Sequence, residues 1–140
     1  IVGFPGETER QFQQTLDLVR ETRYDAAYMY MYSSRPGTPA AEEFRDHIAL
    51  EVKKDRLARL IDLQESISRE INLGCIGHVL PVLVESKAPR TPGDLLARTR
   101  GDKMVILPGP SEWIGQIIDV GIHAANGHTL FANALSEVAG

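Results

Sequence analysis

From Gly74 onward the sequence is a series of short apolar runs cut by turn residues, and this pattern restricts the fold more than any other feature. "HVLPVLVES" alternates loosely, "DLLARTR" and "DKMVIL" flank a Gly-Asp turn, "WIGQIIDVGIHAA" follows a Pro-Gly-Pro loop, and "HTLFANAL" follows Asn126-Gly127. An Asn-Gly pair between β runs is a strong hairpin signal, because both residues tolerate the positive φ angles of the tightest turns. Five such strands in about 65 residues predict a small closed or nearly closed barrel of the oligonucleotide-binding type. Barrels of this kind bind single strands with basic and aromatic side chains on one face. Here Lys87, Arg90, Arg98, Arg100 and Lys103 outnumber Asp94 and Asp102 along one edge. That edge is a candidate patch, although a solvated hairpin fits the same residues. Trp113 and Phe131 are candidates either for base stacking or for the core.

The preceding residues read differently. Ile1-Val2 form the tail of a strand, Gly3-Phe4-Pro5-Gly6 a tight turn, and Thr8-Glu9-Arg10-Gln11 a capping box that opens a helix. Phe12, Leu16 and Val19 give that helix one apolar face. "YDAAYMYMYSS" then alternates Tyr28, Tyr30 and Tyr32 with Met29 and Met31, which predicts a strand buried on both faces, as in a parallel sheet or barrel. Strand, helix and strand make a β-α-β unit. The glycine turn at a helix N-terminus suits a polar or anionic ligand, and a plain connection also fits. Pro36-Gly37 fits the centre of a type II turn. Arg35, just before it, stands at the strand end where β/α folds bind ligands, or is simply solvated.

A long helix is predicted from about Ala49 to Leu73, roughly 35 Å at the α-helical rise. Val52, Leu57, Leu60, Ile61, Ile67 and Ile71 are its expected apolar stripe, with Lys53 and Arg56 among the charges that cover the rest. Gly74 and Gly77 end it. The helix either packs along a barrel or connects two domains. The expected class is thus α/β followed by all-β, divided into residues 1–73 and 74–140.

Composition narrows the chemistry. A single cysteine, Cys75, excludes an internal disulfide and any metal site built of this chain's cysteines. The formal charge of −4 carries no global nucleic-acid signature, and no run is apolar enough to span a membrane. The cytosol is the simplest compartment.

Together "IVGFPGET", "YSSRPGTPAA", "KKDRLARLIDLQ" and "RTRGDKMVIL…IGQIIDVGI" resemble, in order, the C-terminal part of the tRNA methylthiotransferases. These are radical S-adenosylmethionine enzymes, and the group acting on dimethylallyl-modified adenosine is the most similar. The resemblance implies that residues 1–73 are the last β/α units of the radical-enzyme barrel plus a connecting helix. It implies that residues 74–140 are a TRAM domain, an RNA-binding β-barrel. The parent would use S-adenosylmethionine and two 4Fe–4S clusters, whose cysteine ligands are not in this sequence. It would add a methylthio group to C2 of the adenosine beside the anticodon. Gly3, Phe4, Pro5, Gly6 and Glu7 would lie beside S-adenosylmethionine. Arg35, Arg98, Arg100 and Lys103 would contact tRNA through its anticodon stem-loop. No catalytic residue and no metal ligand is expected here, nor any membrane partner, and the expected state is a cytoplasmic monomer. A pure RNA-binding module, a ribosomal-protein methylthiotransferase and a cobalamin-type radical enzyme fragment are the alternatives.

Overall fold

The structure, a computed structural model, describes residues 1–135. It divides into two compact units, Ile1–Ile67 and Ser68–Gly140. Glu137 and the other residues beyond 135 that were assigned to the second domain lie outside the described residues.

The first unit is built on helices. Helix α1 spans Glu9–Thr22, α2 spans Pro39–Glu43, and α3, Leu50–Leu73, begins here. The capping box at Thr8 forms in both directions: the Gln11 amide donates to Thr8 Oγ1 at 3.1 Å, and the Thr8 amide donates to Gln11 Oε1 at 2.9 Å. Phe12, Leu16 and Val19 are buried, as their spacing predicts. Val2 pairs with Met31 in a parallel bridge, in which the Val2 amide donates to the Tyr30 carbonyl and the Tyr32 amide to the Val2 carbonyl.

Two expectations for this unit are corrected. The run from Tyr28 to Tyr32 is not a strand buried on both faces: Tyr28 is 92% exposed and Tyr30 60%. A strand is covered on both faces only where neighbouring strands and helices flank it, and among the described residues Val2 alone pairs with the run. The stripe of α3 holds at Leu60 and Ile67 but is joined by polar residues. Val52 is exposed, whereas Lys53, Arg56, Leu60, Gln64 and Ile67 are buried. The polar members are buried because each has a carbonyl to serve. Lys53 Nζ donates to the Tyr32 carbonyl at 3.1 Å, Arg56 to that of Glu7 at 3.0 Å, and Gln64 Nε2 to that of Tyr24 at 2.7 Å. Buried polar groups are tolerated when hydrogen-bonded, and irregular segments supply the unpaired carbonyls that need such donors.

The second unit is a closed five-stranded barrel. Its strands are β1 (Val79–Lys87), β2 (Asp94–Thr99), β3 (Met104–Pro108), β4 (Ile117–Ala125) and β5 (Thr129–Ala134). They are joined in the order β1-β2-β3-β5-β4, with β4 closing onto β1 and β3 parallel to β5. The alternation read from the sequence fixes which side chains face inward. Val82 and Val84, Leu95 and Ala97, Val105 and Leu107, Ile118 to Ile122 at every second residue, and Leu130 and Ala132 form the core. Trp113 does not start β4. It ends a 3-10 turn at Ser111–Trp113 and packs on the core from outside. Asn72, near the end of α3, belongs to this unit and donates to the Asn126 carbonyl at 2.9 Å.

Leu107 is fully buried and Ile117 is 74% exposed. Leu107→Ala should therefore destabilise the barrel by about 2–5 kcal/mol, and Ile117→Ala by less than about 0.5 kcal/mol. Urea denaturation followed by Trp113 fluorescence reads the barrel and separates the two.

Candidate functional sites

The glycine turn closes on itself. Gly3 has φ +77° and Gly6 φ +88°, both in the left-handed region that glycine enters most readily. The Glu7 amide donates to the Phe4 carbonyl at 2.9 Å, with Pro5 and Gly6 at the centre of the turn. The Glu7 side chain folds back, so that Oε1 accepts the Gly3 amide at 3.0 Å and Arg56 NH1 at 2.8 Å. A Cβ on Gly3 would lie 2.6 Å from Cγ of Lys53, whereas one on Gly6 would meet nothing within 4 Å. The two glycines therefore differ: Gly3 admits the stem of Lys53, and Gly6 leaves its backbone open to an approaching group.

The end of α1 is less available to an anion than its position suggests. The Gln11 amide already donates to Thr8 Oγ1 and the Thr8 amide to Gln11 Oε1, and Glu9 already sits in the first turn. Hydrogen bonds from Arg59, at 2.7 Å, and then from Gln13 hold the Glu9 carboxyl below its ordinary value.

Phe4 stands edge-on to Tyr32, with centroids 5.1 Å apart, and to Phe44 at 5.9 Å. Tyr32 in turn lines a groove of about 510 Å³ with Ile1, Tyr30, Met31 and Arg35. The two candidate regions of this unit, the glycine turn and Arg35, thus meet through Tyr32. The turn after Arg35 forms as read. Its carbonyl accepts the Thr38 hydroxyl at 2.7 Å and the Thr38 amide at 3.3 Å, and Gly37 has φ +83°. The Arg35 side chain is exposed.

On the barrel, the three candidate cations are not equivalent. Arg98 Nε lies 2.6 Å from Glu85, and its NH1 lies 3.2 Å from Asp102. Hydrogen bonding and charge from Glu85, with Asp102 adding to it, raise the Arg98 guanidinium above its ordinary value. Lys103 Nζ donates to Asn72 Oδ1 at 2.9 Å. Arg100, at the tip of the same hairpin, is exposed and, among the described residues, is not in the ion pairs that hold Arg98. A shallow apolar groove lined by Pro81, Leu83 and Ile117 runs beside Arg98 and Arg100. Trp113 is half-buried and packs against the core.

Toward an iron–sulfur cluster the sequence offers one cysteine, Cys75. Among the described residues no group of His, Cys, Asp and Glu could hold a metal ion. Cys75 sits half-buried with Sγ 3.7 Å from the Ile71 carbonyl. Iron–sulfur clusters are held by several cysteine thiolates, so the residues here do not fit one. The open face of Gly6 beside Phe4 does fit the approach of a small molecule to the backbone. In Glu7, one carboxylate oxygen is already engaged by the Gly3 amide and Arg56.

The residues that the sequence reading missed are Lys53, Arg56, Gln64 and Asn72. The TRAM domain family matches residues 74–135, which hold the whole described barrel. The tRNA-2-methylthio-N(6)-dimethylallyladenosine synthase of Desulfitobacterium hafniense is 44% identical over 137 residues, covering 98% of this chain and 30% of the relative. Proteins of the same name from Carboxydothermus hydrogenoformans and Geobacillus kaustophilus are 47% identical over 122 residues and 44% over 137. They are matched over 87% and 98% of this chain, and over 28% and 26% of their own lengths. The chain thus spans less than a third of each of these relatives. Residues 74–135 are a TRAM domain, and nearly the whole chain is similar to the C-terminal part of these relatives.

Proposed function

We propose that this chain is the cofactor-flanking and tRNA-gripping part of a radical S-adenosylmethionine enzyme that methylthiolates C2 of dimethylallyl-modified adenosine next to the anticodon. The observation that carries this reading is the 44% identity that runs through both units to a synthase so named. In this reading residues 1–73 are the last β/α units of the radical-enzyme barrel and its connecting helix, and residues 74–140 are the RNA-binding domain. S-adenosylmethionine, bound with two 4Fe–4S clusters in the parent, supplies the radical and the methyl group. This chain's own residues bind and position. Gly3, Phe4, Pro5 and Gly6 flank the cofactor, with Gly6 giving it access to the backbone. Glu7 shapes the turn from within. Arg35 stands at the groove where RNA would enter, and the barrel holds the anticodon stem-loop, whose unpaired adenosine can be reached without opening a helix. The enzyme works as a cytoplasmic monomer in the same reading. None of the described helices is long and apolar enough to cross a membrane.

Three outcomes test this. The chain alone, with its single cysteine, should take up no stoichiometric cluster on anaerobic reconstitution with iron and sulfide, and should not cleave S-adenosylmethionine. A cluster absorbance in proportion to protein would contradict the assignment.

In the full-length parent, Gly6→Val should leave cluster content intact and weaken S-adenosylmethionine binding in equilibrium dialysis. Val would both occupy the open face and strain the positive φ. Unchanged binding would return the turn to a plain connection.

Arg100, exposed at the tip of the hairpin, should contribute one phosphate contact. Arg100→Ala in the parent should weaken tRNA binding and reduce the slope of log affinity against log salt by roughly one. Filter binding over a salt series reads both. If neither moves, the RNA-contacting face is elsewhere on the barrel.

A further inference from the structure

We infer that Arg56, supported by Lys53, positions the Gly3–Glu7 turn for its cofactor, so that the start of α3 belongs to the cofactor site without touching the cofactor. This inference rests on the reading of that turn as a cofactor contact. Its basis is a closed set of contacts inside the first unit. Arg56 NH1 reaches both the carbonyl of Glu7, at 3.0 Å, and its Oε1, at 2.8 Å. The same Oε1 accepts the Gly3 amide at 3.0 Å. One guanidinium therefore fixes the last residue of the turn by backbone and side chain together, and through the carboxylate it fixes the first. The pair is sequestered, with side chains only 7% and 13% exposed.

Lys53, one turn earlier on the helix, holds the neighbouring element. Its stem fills the space beside Gly3, and its Nζ donates to the Tyr32 carbonyl and pairs with Asp46 at 2.6 Å. Gly3 follows Val2, and Tyr32 follows Met31, so Lys53 meets the chain just after each half of the parallel bridge, and Arg56 reaches the first of them through Glu7. In β/α folds this is the edge where ligands sit. Lys53 and Arg56 are buried, and every contact named here goes to the turn, to the neighbouring segment or to Asp46, so neither cation is a surface charge for RNA.

Removing the guanidinium would leave a largely buried carboxylate without its cation, and the carboxylate would turn out to water and release the Gly3 amide. The turn would then occupy its closed form for only a fraction of the time, and apparent affinity falls by that fraction. The conformation matters here because the turn contains two positive-φ glycines, which the open chain samples freely.

The test uses the full-length parent with reconstituted clusters. Arg56→Ala should keep wild-type cluster absorbance, raise the dissociation constant for S-adenosylmethionine about tenfold in equilibrium dialysis, and speed hydrogen exchange at the Gly3 amide. The KM for S-adenosylmethionine should rise while kcat at saturation stays near wild type, since only binding of the poised turn is lost. Arg56→Lys should recover part of the affinity, because an ammonium can serve one of the two Glu7 acceptors. Arg59→Ala, which removes a neighbouring arginine paired with Glu9 and Asp55, should leave affinity unchanged. If Arg56→Ala does not fold, Glu7→Gln keeps an acceptor for Gly3, removes the charge, and should still weaken binding several-fold. Wild-type affinity in Arg56→Ala or Glu7→Gln, with Gly6→Val impaired, overturns the positioning role and leaves the cofactor turn standing. Wild-type affinity in all of them overturns the cofactor turn as well.

Discussion

A single carboxylate oxygen organises the first unit. Oε1 of Glu7 accepts the Gly3 amide from one side and Arg56 from the other, and by doing so it closes the turn that joins Val2 to α1. A charge-assisted hydrogen bond between groups this well buried is strong when made and costly when one partner is missing. Once Glu7 is held, Thr8 is placed to cap α1, and Phe12, Leu16 and Val19 turn inward. Phe12 lies under the guanidinium of Arg59, 4.8 Å from its ring centroid, with that of Arg56 at 5.9 Å. The cations of α3 thus serve both the turn and the helix that follows it.

The barrel was largely legible in the sequence because its rules are local. All five runs form strands, and alternation, broken by a register shift after Val84 and another after Ile122, places their inward residues. At Asn126 the side chain accepts the amides of His128 and Thr129, each at 2.8 Å, while its own amide donates to the Thr129 carbonyl. The Gly-Asp turn forms with Asp102 at φ +66°, a conformation aspartate tolerates better than most residues. The capping box and the type II turn after Arg35 were legible for the same reason: each is decided within four residues. The run from Tyr28 to Tyr32 was not, because its burial depends on neighbouring strands and not on its own pattern.

The candidate sites were legible in position but not in chemistry. The glycine turn and Arg35 were singled out correctly as turns, yet the partner that shapes the first lies 49 residues away in sequence, at Arg56. A signal for it did exist. Lys53, Arg56, Leu60, Gln64 and Ile67 follow one another at helical three- and four-residue steps, so the apolar residues of that face already pointed to two buried cations. Charge was taken to mean solvent. On the barrel, the count of charges along one edge included Asp102 but not Glu85, which reaches Arg98 across the strand pair. Net local charge depends on register, and register is a property of the folded sheet.

The central claim is that this chain does the work of the matching part of a tRNA-2-methylthio-N(6)-dimethylallyladenosine synthase. The most direct measurement is to replace that part of the Geobacillus kaustophilus relative with residues 1–140, confirm its cluster content, and measure the modified adenosine of its tRNA by mass spectrometry. The account predicts that the 2-methylthio group appears on dimethylallyl-modified adenosine. A folded, cluster-loaded chimera that leaves this adenosine without the methylthio group would contradict it.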